Sequence, residues 1–126
     1  EGLRLLVVED HPDTLGTLTR LLTRRGYTVR TAASIAESLE VARGYEFDVL
    51  ISDIGLPDGR GTELLDQFYA LHGWRPPAIA MSGFGMDDDV ERSQQAGFSE
   101  HLTKPVEFSA LQDAICRLAS RQSGKG

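Results

Sequence analysis

Apolar residues gather in five short runs, separated by longer stretches in which they return at every third or fourth position. The runs are Leu3–Val8, Tyr27–Thr31, Asp48–Ser52, Ala78–Ser82 and a weaker Glu100–Thr103, and each has the length and the Val, Ile and Leu content of a strand. Between and after them, helical spacing joins Leu15, Leu18 and Leu22, then Ala36 and Leu39, then Leu64, Leu65, Phe68 and Leu71. It continues through Val90 to Ala96 and through Phe108, Leu111, Ile115 and Leu118, so a helix is predicted after every strand. Pro12 suits a first helical turn, Ser34 with Glu37 forms a capping box, and Gly26, Gly44, Gly73 and Gly97 stand where helices end. Strands this continuously apolar are buried on both faces, which predicts an α/β class: a parallel sheet between two helix layers. All strands of such a sheet leave at one edge, and ligands of open α/β sheets bind there.

The residues that follow the strands carry the candidate chemistry. Glu9 and Asp10 follow the first, Asp53 the third, Ser82 closes the fourth and Lys104 follows the fifth, whereas the second ends in the unreactive Thr31-Ala32-Ala33. With the second strand outermost, in the order 2-1-3-4-5, the other four ends converge on one pocket. Three carboxylates in one pocket repel, and at least one would have its pKa raised unless positive charge is supplied. A divalent cation together with Lys104 cancels them formally. An all-oxygen set of this kind suits Mg²⁺, and neither a Cys cluster nor a spaced His pair points to zinc. Lys104 is one of only two lysines in a chain with eleven arginines, as expected if a compact point charge is required there.

Composition narrows the class further. At 126 residues the chain makes a single domain, with a core over about residues 3–119 and a polar ending, 120–126, expected to fray. A net charge of −6 argues against nucleic-acid binding by this domain. No apolar stretch approaches the roughly 20 residues of a membrane span, so no membrane contact is expected. The single cysteine, Cys116, cannot form an internal disulfide, which fits a cytoplasmic location. The opening Glu1-Gly2 raises the expectation of a longer parent chain.

Other features read as structural. Asp87-Asp88-Asp89 is taken as charge at a helix start, not a metal cluster. His11, beside the acidic pair, could touch the pocket but is read as a turn or capping residue, His72 and Trp74 as local packing, and Cys116 as a small buried hydrophobe. No Gly-x-Gly-x-x-Gly follows the first strand and no P-loop is present, despite Gly83 and Gly85, so nucleotide binding has no support. No Ser-His-Asp arrangement can be assembled.

Glu9-Asp10, Asp53-Ile54-Gly55-Leu56-Pro57, Ser82-Gly83 and Lys104-Pro105 resemble the signature of the receiver domain of bacterial two-component response regulators, over essentially the whole chain. The resemblance implies a flavodoxin-like (βα)5 fold, an open parallel sheet of order 2-1-3-4-5 with helices on both faces. It implies that Asp53 is the phosphoacceptor, supplied by a phosphohistidine on a histidine kinase or histidine phosphotransfer domain, so that the domain catalyses its own phosphorylation and dephosphorylation. Glu9, Asp10, Asp53 and the backbone carbonyl of Gly55 would hold Mg²⁺, Lys104 would pair with the phosphoryl group, Ser82 would read it, and Lys104-Pro105 would be cis. Further donors to the phosphoryl oxygens are expected from backbone N–H groups around Ile54 and Gly83. The stretch Ala96 to Val106 resembles receivers attached to hybrid sensor histidine kinases. Three positions depart from the pattern: Ser82 where Thr is commoner, Arg60 where an Asp often follows the Pro loop, and His101 where Tyr or Phe is usual. Ser82 and His101 are accordingly the expected switch pair, with His101 turning inward on activation. An aspartyl-phosphate hydrolase is the rival, but Gly55 occupies the place of its second Asp and no cap domain is present. A docking module without phosphorylation is disfavoured by the complete residue set.

Overall fold

Alternation of strand and helix produces the predicted layers. The computed structural model describes residues 3–56, 59–60, 63–73, 75–83, 94–95 and 97–124. Of the predicted helix over Val90–Ala96 only Gln94 and Gln95 fall inside them; Asp87-Asp88-Asp89, Trp74, Gly85, Pro57 and the side chains of Arg60 and His72 lie outside. The elements are β1 (Arg4–Val8), α1 (Pro12–Arg24), β2 (Thr28–Ala32), α2 (Ile35–Arg43), β3 (Val49–Asp53), β4 (Gly55–Leu56), β5 (Gly59–Arg60), α3 (Leu64–His72), β6 (Ala78–Ser82), β7 (Glu100–Thr103) and α4 (Phe108–Gly124).

Five strands form one sheet in the order β2-β1-β3-β6-β7, every neighbouring pair parallel. With the two-residue antiparallel pair β4-β5 set aside, this is the expected 2-1-3-4-5 of flavodoxin-like sheets. Period-two alternation splits the sheet into two buried faces. Leu6, Val8, Leu50 and Ala80 pack with Ile35, Leu64 and Phe68 of α2 and α3. Leu5, Val7, Ile51 and Met81 pack with Leu18 and Leu22 of α1 and with Leu111 and Ile115 of α4. Each fully buried Leu, Ile or Phe contributes about 1.5–3 kcal/mol, so these two faces supply the main drive for folding.

Local signals fix the helix ends. Pro12 opens α1, and the Ser34 hydroxyl accepts from the Glu37 N–H at 3.1 Å. The Glu37 carboxylate reaches back one residue further than an ideal capping box, to the N–H of Ala33. Gly73 ends α3 in the left-handed region at φ 68, a conformation that a Cβ would strain. Gly44 ends α2 at φ −117 without that conformation.

One expectation is corrected. Cys116 is exposed. Adjacency to Ile115 in the sequence is about a 100° turn away on a helix, and the buried stripe of α4 is Leu111, Ala114, Ile115 and Leu118. The backbone of α4 continues to Gly124. Leu71 is 51% exposed and lines an open groove between α2 and α3 with Ala36 and Leu39.

Candidate functional site

Strand register delivers the site. Val8 is level with Ser52 and Asp53 with Met81, while Ser82 is level with Thr103. Glu9, Asp53, Ser82 and Lys104 therefore emerge at one edge within about a residue of one another. Asp53, the last residue of β3, is 6% exposed and Glu9 is fully buried. Lys104 turns back after β7, past a cis Lys104-Pro105 bond, and its Nζ lies 2.8 Å from Asp53 Oδ2 and 2.6 Å from Glu9 Oε1. The contact to Glu9 is a direct ammonium–carboxylate pair whose geometry is off-axis for a hydrogen bond. The Gly55 N–H donates to Asp53 Oδ1 at 3.0 Å, so both oxygens of Asp53 are held. The Ile54 N–H, one of the expected phosphoryl donors, is committed to the Met81 carbonyl.

One ammonium serves two buried carboxylates, and their proton affinities diverge. Burial pushes Asp53 up, and neither the Lys104 hydrogen bond nor the Gly55 N–H fully compensates, with the Glu9 charge adding to the rise. Burial also pushes Glu9 up, but the Lys104 ammonium paired with it and the hydrogen bonds from the backbone and ring of His11 outweigh it and leave Glu9 below the usual range. Lys104 loses from burial and gains more from its two carboxylates, ending above its ordinary value.

The reading of His11 as a cap is also corrected. It occupies the N-cap position of α1 but makes no side-chain capping bond; its N–H donates to Glu9 Oε2 at 3.0 Å and its Nδ1 lies 3.0 Å from the same oxygen. The hydrogen bond to Glu9, then the charges of Asp10 and Glu9, hold the imidazole above its usual pKa. His11 is thus part of the site. Its position directly after the acidic pair was the available signal.

The donor set suits a hard divalent cation. Glu9, Asp10, His11 and Asp53 each offer an atom within 4.8 Å of the others, and Asp10 Oδ1 is buried without a hydrogen bond. Three carboxylates against one ammonium leave a deficit of two positive charges, which a Mg²⁺ ion would fill. Farther along the edge, the Ser82 hydroxyl, almost fully buried, shares a 2.8 Å hydrogen bond with His101 Nε2. Arg117 of α4 grips both oxygens of Glu100 at 2.9 and 3.1 Å and so fixes β7, which carries His101.

A model of the response regulator receiver domain family matches residues 5–116. The chain belongs to that family. The receiver is 38% identical over 117 residues to the transcriptional regulatory protein KdpE of Mycobacterium tuberculosis, covering 90% of this chain and 50% of that one. It is 38% identical over 111 residues to GlrR of Escherichia coli, covering 88% of this chain and 25% of the other. The receiver therefore spans about half or less of these curated relatives. A crystal structure of a CheY-like response regulator receiver domain from Methanospirillum hungatei superposes with a TM-score of 0.89 at 29% identity, over 100% of both chains. Another, from Clostridium thermocellum, gives 0.88 at 27% identity over 98% of this chain and 99% of that one. The receiver is thereby a two-component signalling domain with the flavodoxin-like fold. Among its described residues no helix is long and apolar enough to cross a membrane.

Proposed function

We propose that the receiver takes a phosphoryl group onto Asp53 from a phosphohistidine of a histidine kinase or histidine phosphotransfer domain. An Asp53 carboxylate oxygen forms a bond to phosphorus as the P–N bond breaks, and the leaving imidazole takes up a proton. The supporting observation is the sharing of one ammonium, Lys104, between buried Asp53 and buried Glu9, beside an unpartnered Asp10 oxygen. Glu9, Asp10, Asp53 and the Gly55 carbonyl would hold Mg²⁺, which supplies positive charge against the phosphoryl oxygens. Lys104 can follow the charge from the carboxylate to the phosphoryl group, since its flexible stem carries a single point charge. The Gly55 N–H fixes one Asp53 oxygen and orients the carboxylate.

Phosphorylation brings about −2 in place of the Asp53 charge, so further donors are needed, and the Ser82 hydroxyl with the Gly83 N–H fill that role. Ser82 then leaves His101, and the His101 ring reorients as the switch. The phosphohistidine partner docks beside Lys104, against the open groove formed by Thr14, Leu18, Leu21, Pro105, Val106 and Phe108. The domain works in the cytoplasm and neither binds nucleic acid nor touches a membrane itself. For the parent chain, residues 96–106 favour a hybrid sensor histidine kinase, while the names of the relatives favour a transcriptional regulator; the flanking gene sequence decides between them.

Incubation with a small phosphodonor and Mg²⁺ tests the acceptor assignment by intact mass. The expected gain is one phosphoryl group, lost in Asp53→Asn. A gain that survives that substitution overturns the assignment.

A further inference from the structure

The acidic cluster contains a nitrogen. His11 Nδ1 lies 3.0 Å from Glu9 Oε2 and 3.5 Å from Asp10 Oδ1, and the four donors of Glu9, Asp10, His11 and Asp53 all lie within 4.8 Å of one another. Ligands at about 2.1 Å from one cation stand about 3.0 Å apart when adjacent in an octahedron, about 4.2 Å when opposite, and about 3.4 Å in a tetrahedron. The spacing fits a single coordination sphere after shifts of about half an ångström. Asp10 Oδ1, 3.5 Å from His11 Nδ1, is buried and accepts no hydrogen bond. The His11 backbone is pinned to Glu9 by its own N–H, and no capping duty occupies the ring. The ring is also exposed, so it can turn without opening the core.

We propose that His11 is a fourth protein ligand of this site and sets its metal preference, making the receiver favour first-row transition ions over Mg²⁺ more than three carboxylates alone would. The inference rests on the cation site described under the proposed function. Imidazole is a borderline donor that Mn²⁺, Co²⁺, Ni²⁺ and Zn²⁺ accept, with affinity rising from Mn²⁺ through Co²⁺ to Ni²⁺, whereas Mg²⁺ prefers oxygen and retains its waters. A nitrogen ligand therefore adds affinity selectively. Binding through Nδ1 requires that atom's lone pair, so the neutral ring carries its proton on Nε2 and gives up the bond to Glu9.

The experiment compares Mg²⁺ and Co²⁺ titrations by calorimetry, at one fixed pH, for the whole domain carrying Cys116→Ser so that the exposed thiol contributes nothing. His11→Ala and Asp10→Asn are placed on that background. The expected result for His11→Ala is Mg²⁺ affinity within about twofold and Co²⁺ affinity weaker by about tenfold or more. NMR of the parent should show paramagnetically shifted imidazole signals from His11 in the Co²⁺ complex. Equal weakening of both ions, or an unchanged Co²⁺ affinity, overturns the role of His11 while leaving the cation site standing. If Asp10→Asn leaves Mg²⁺ binding unchanged, or neither ion binds the parent, the cation site falls and His11 with it.

Discussion

Lys104→Met isolates the cost of the site's missing positive charge. The substitution keeps most of the stem and removes the ammonium that lies 2.8 Å from Asp53 and 2.6 Å from Glu9. Side-chain exposure is 8% for Asp53 and 0% for Glu9, so water replaces little of the lost interaction. Removing one partner of a buried pair costs about 3–5 kcal/mol. A proton offers an escape, however, and its price sets a ceiling: neutralising a carboxyl of ordinary pKa costs about 4 kcal/mol at pH 7 but only about 1.5 kcal/mol at pH 5. In the variant, the carboxyl that takes the proton has a folded-state pKa above its unfolded value. The folded variant then binds a proton the unfolded chain lacks, and its deficit shrinks as the pH falls. In the parent, Lys104 has its pKa raised, so the ammonium persists throughout this range and its contribution is lost only at alkaline pH. Urea unfolding in EDTA at pH 7.5, 6 and 5 should give a deficit of about 3–4 kcal/mol at the top of the series, falling to about 1.5 kcal/mol at the bottom. A deficit below 1 kcal/mol at pH 7.5, or one independent of pH, would refute the view that Lys104 is the counter-charge for both carboxylates.

Two further outcomes follow from named hydrogen bonds. Ser34→Ala removes the acceptor for the Glu37 N–H and should cost about 1 kcal/mol in urea unfolding, with Ser34→Gly costing only a few tenths; equal costs would show that the cap does not act through the hydroxyl. Ser82→Ala should shift the His101 ring signals in NMR and leave the rest of β7 unchanged, since the Glu100–Arg117 pair still holds the strand; an unmoved ring would deny the Ser82–His101 bond.

The reach of the sequence followed the range of the signal. Strand positions rest on periodicity, whereas their order was implied only by the resemblance to receivers, and Glu9, Asp10, Asp53 and Lys104 stood out because charge directly after a buried apolar run is conspicuous. The β4-β5 pair was invisible because Gly55-Leu56 and Gly59-Arg60 are too short to show a period. Cys116 was misread because neighbours in sequence are not neighbours on a helix face. His11 was misread because a polar residue ahead of Pro12 matches a cap, and only the folded chain shows it turned onto Glu9. The Ser82–His101 bond depends on register: His101 is level with Ala80, and Ser82 is the next residue on that face of β6, a relation fixed only by the pairing of β6 with β7.

That last bond links the proposed chemistry to the sheet edge, and magnitudes decide its direction. The Ser82 hydroxyl has one proton to donate, and its oxygen lies in a 2.8 Å hydrogen bond with His101 Nε2. A hydrogen bond of that kind is worth about 0.5–1.5 kcal/mol net, whereas one to a charged oxygen is worth about 1.5–3 kcal/mol. A phosphoryl group on Asp53 therefore outcompetes His101 for the hydroxyl by about 1 kcal/mol or more, provided β6 lets Ser82 reach it. The cost falls on His101, whose Nε2 must find another partner. Under the proposed function, with Glu100 clamped by Arg117, the strand would hold while the ring moves, and a change in charge at Asp53 would become a change in side-chain orientation at the outer strand.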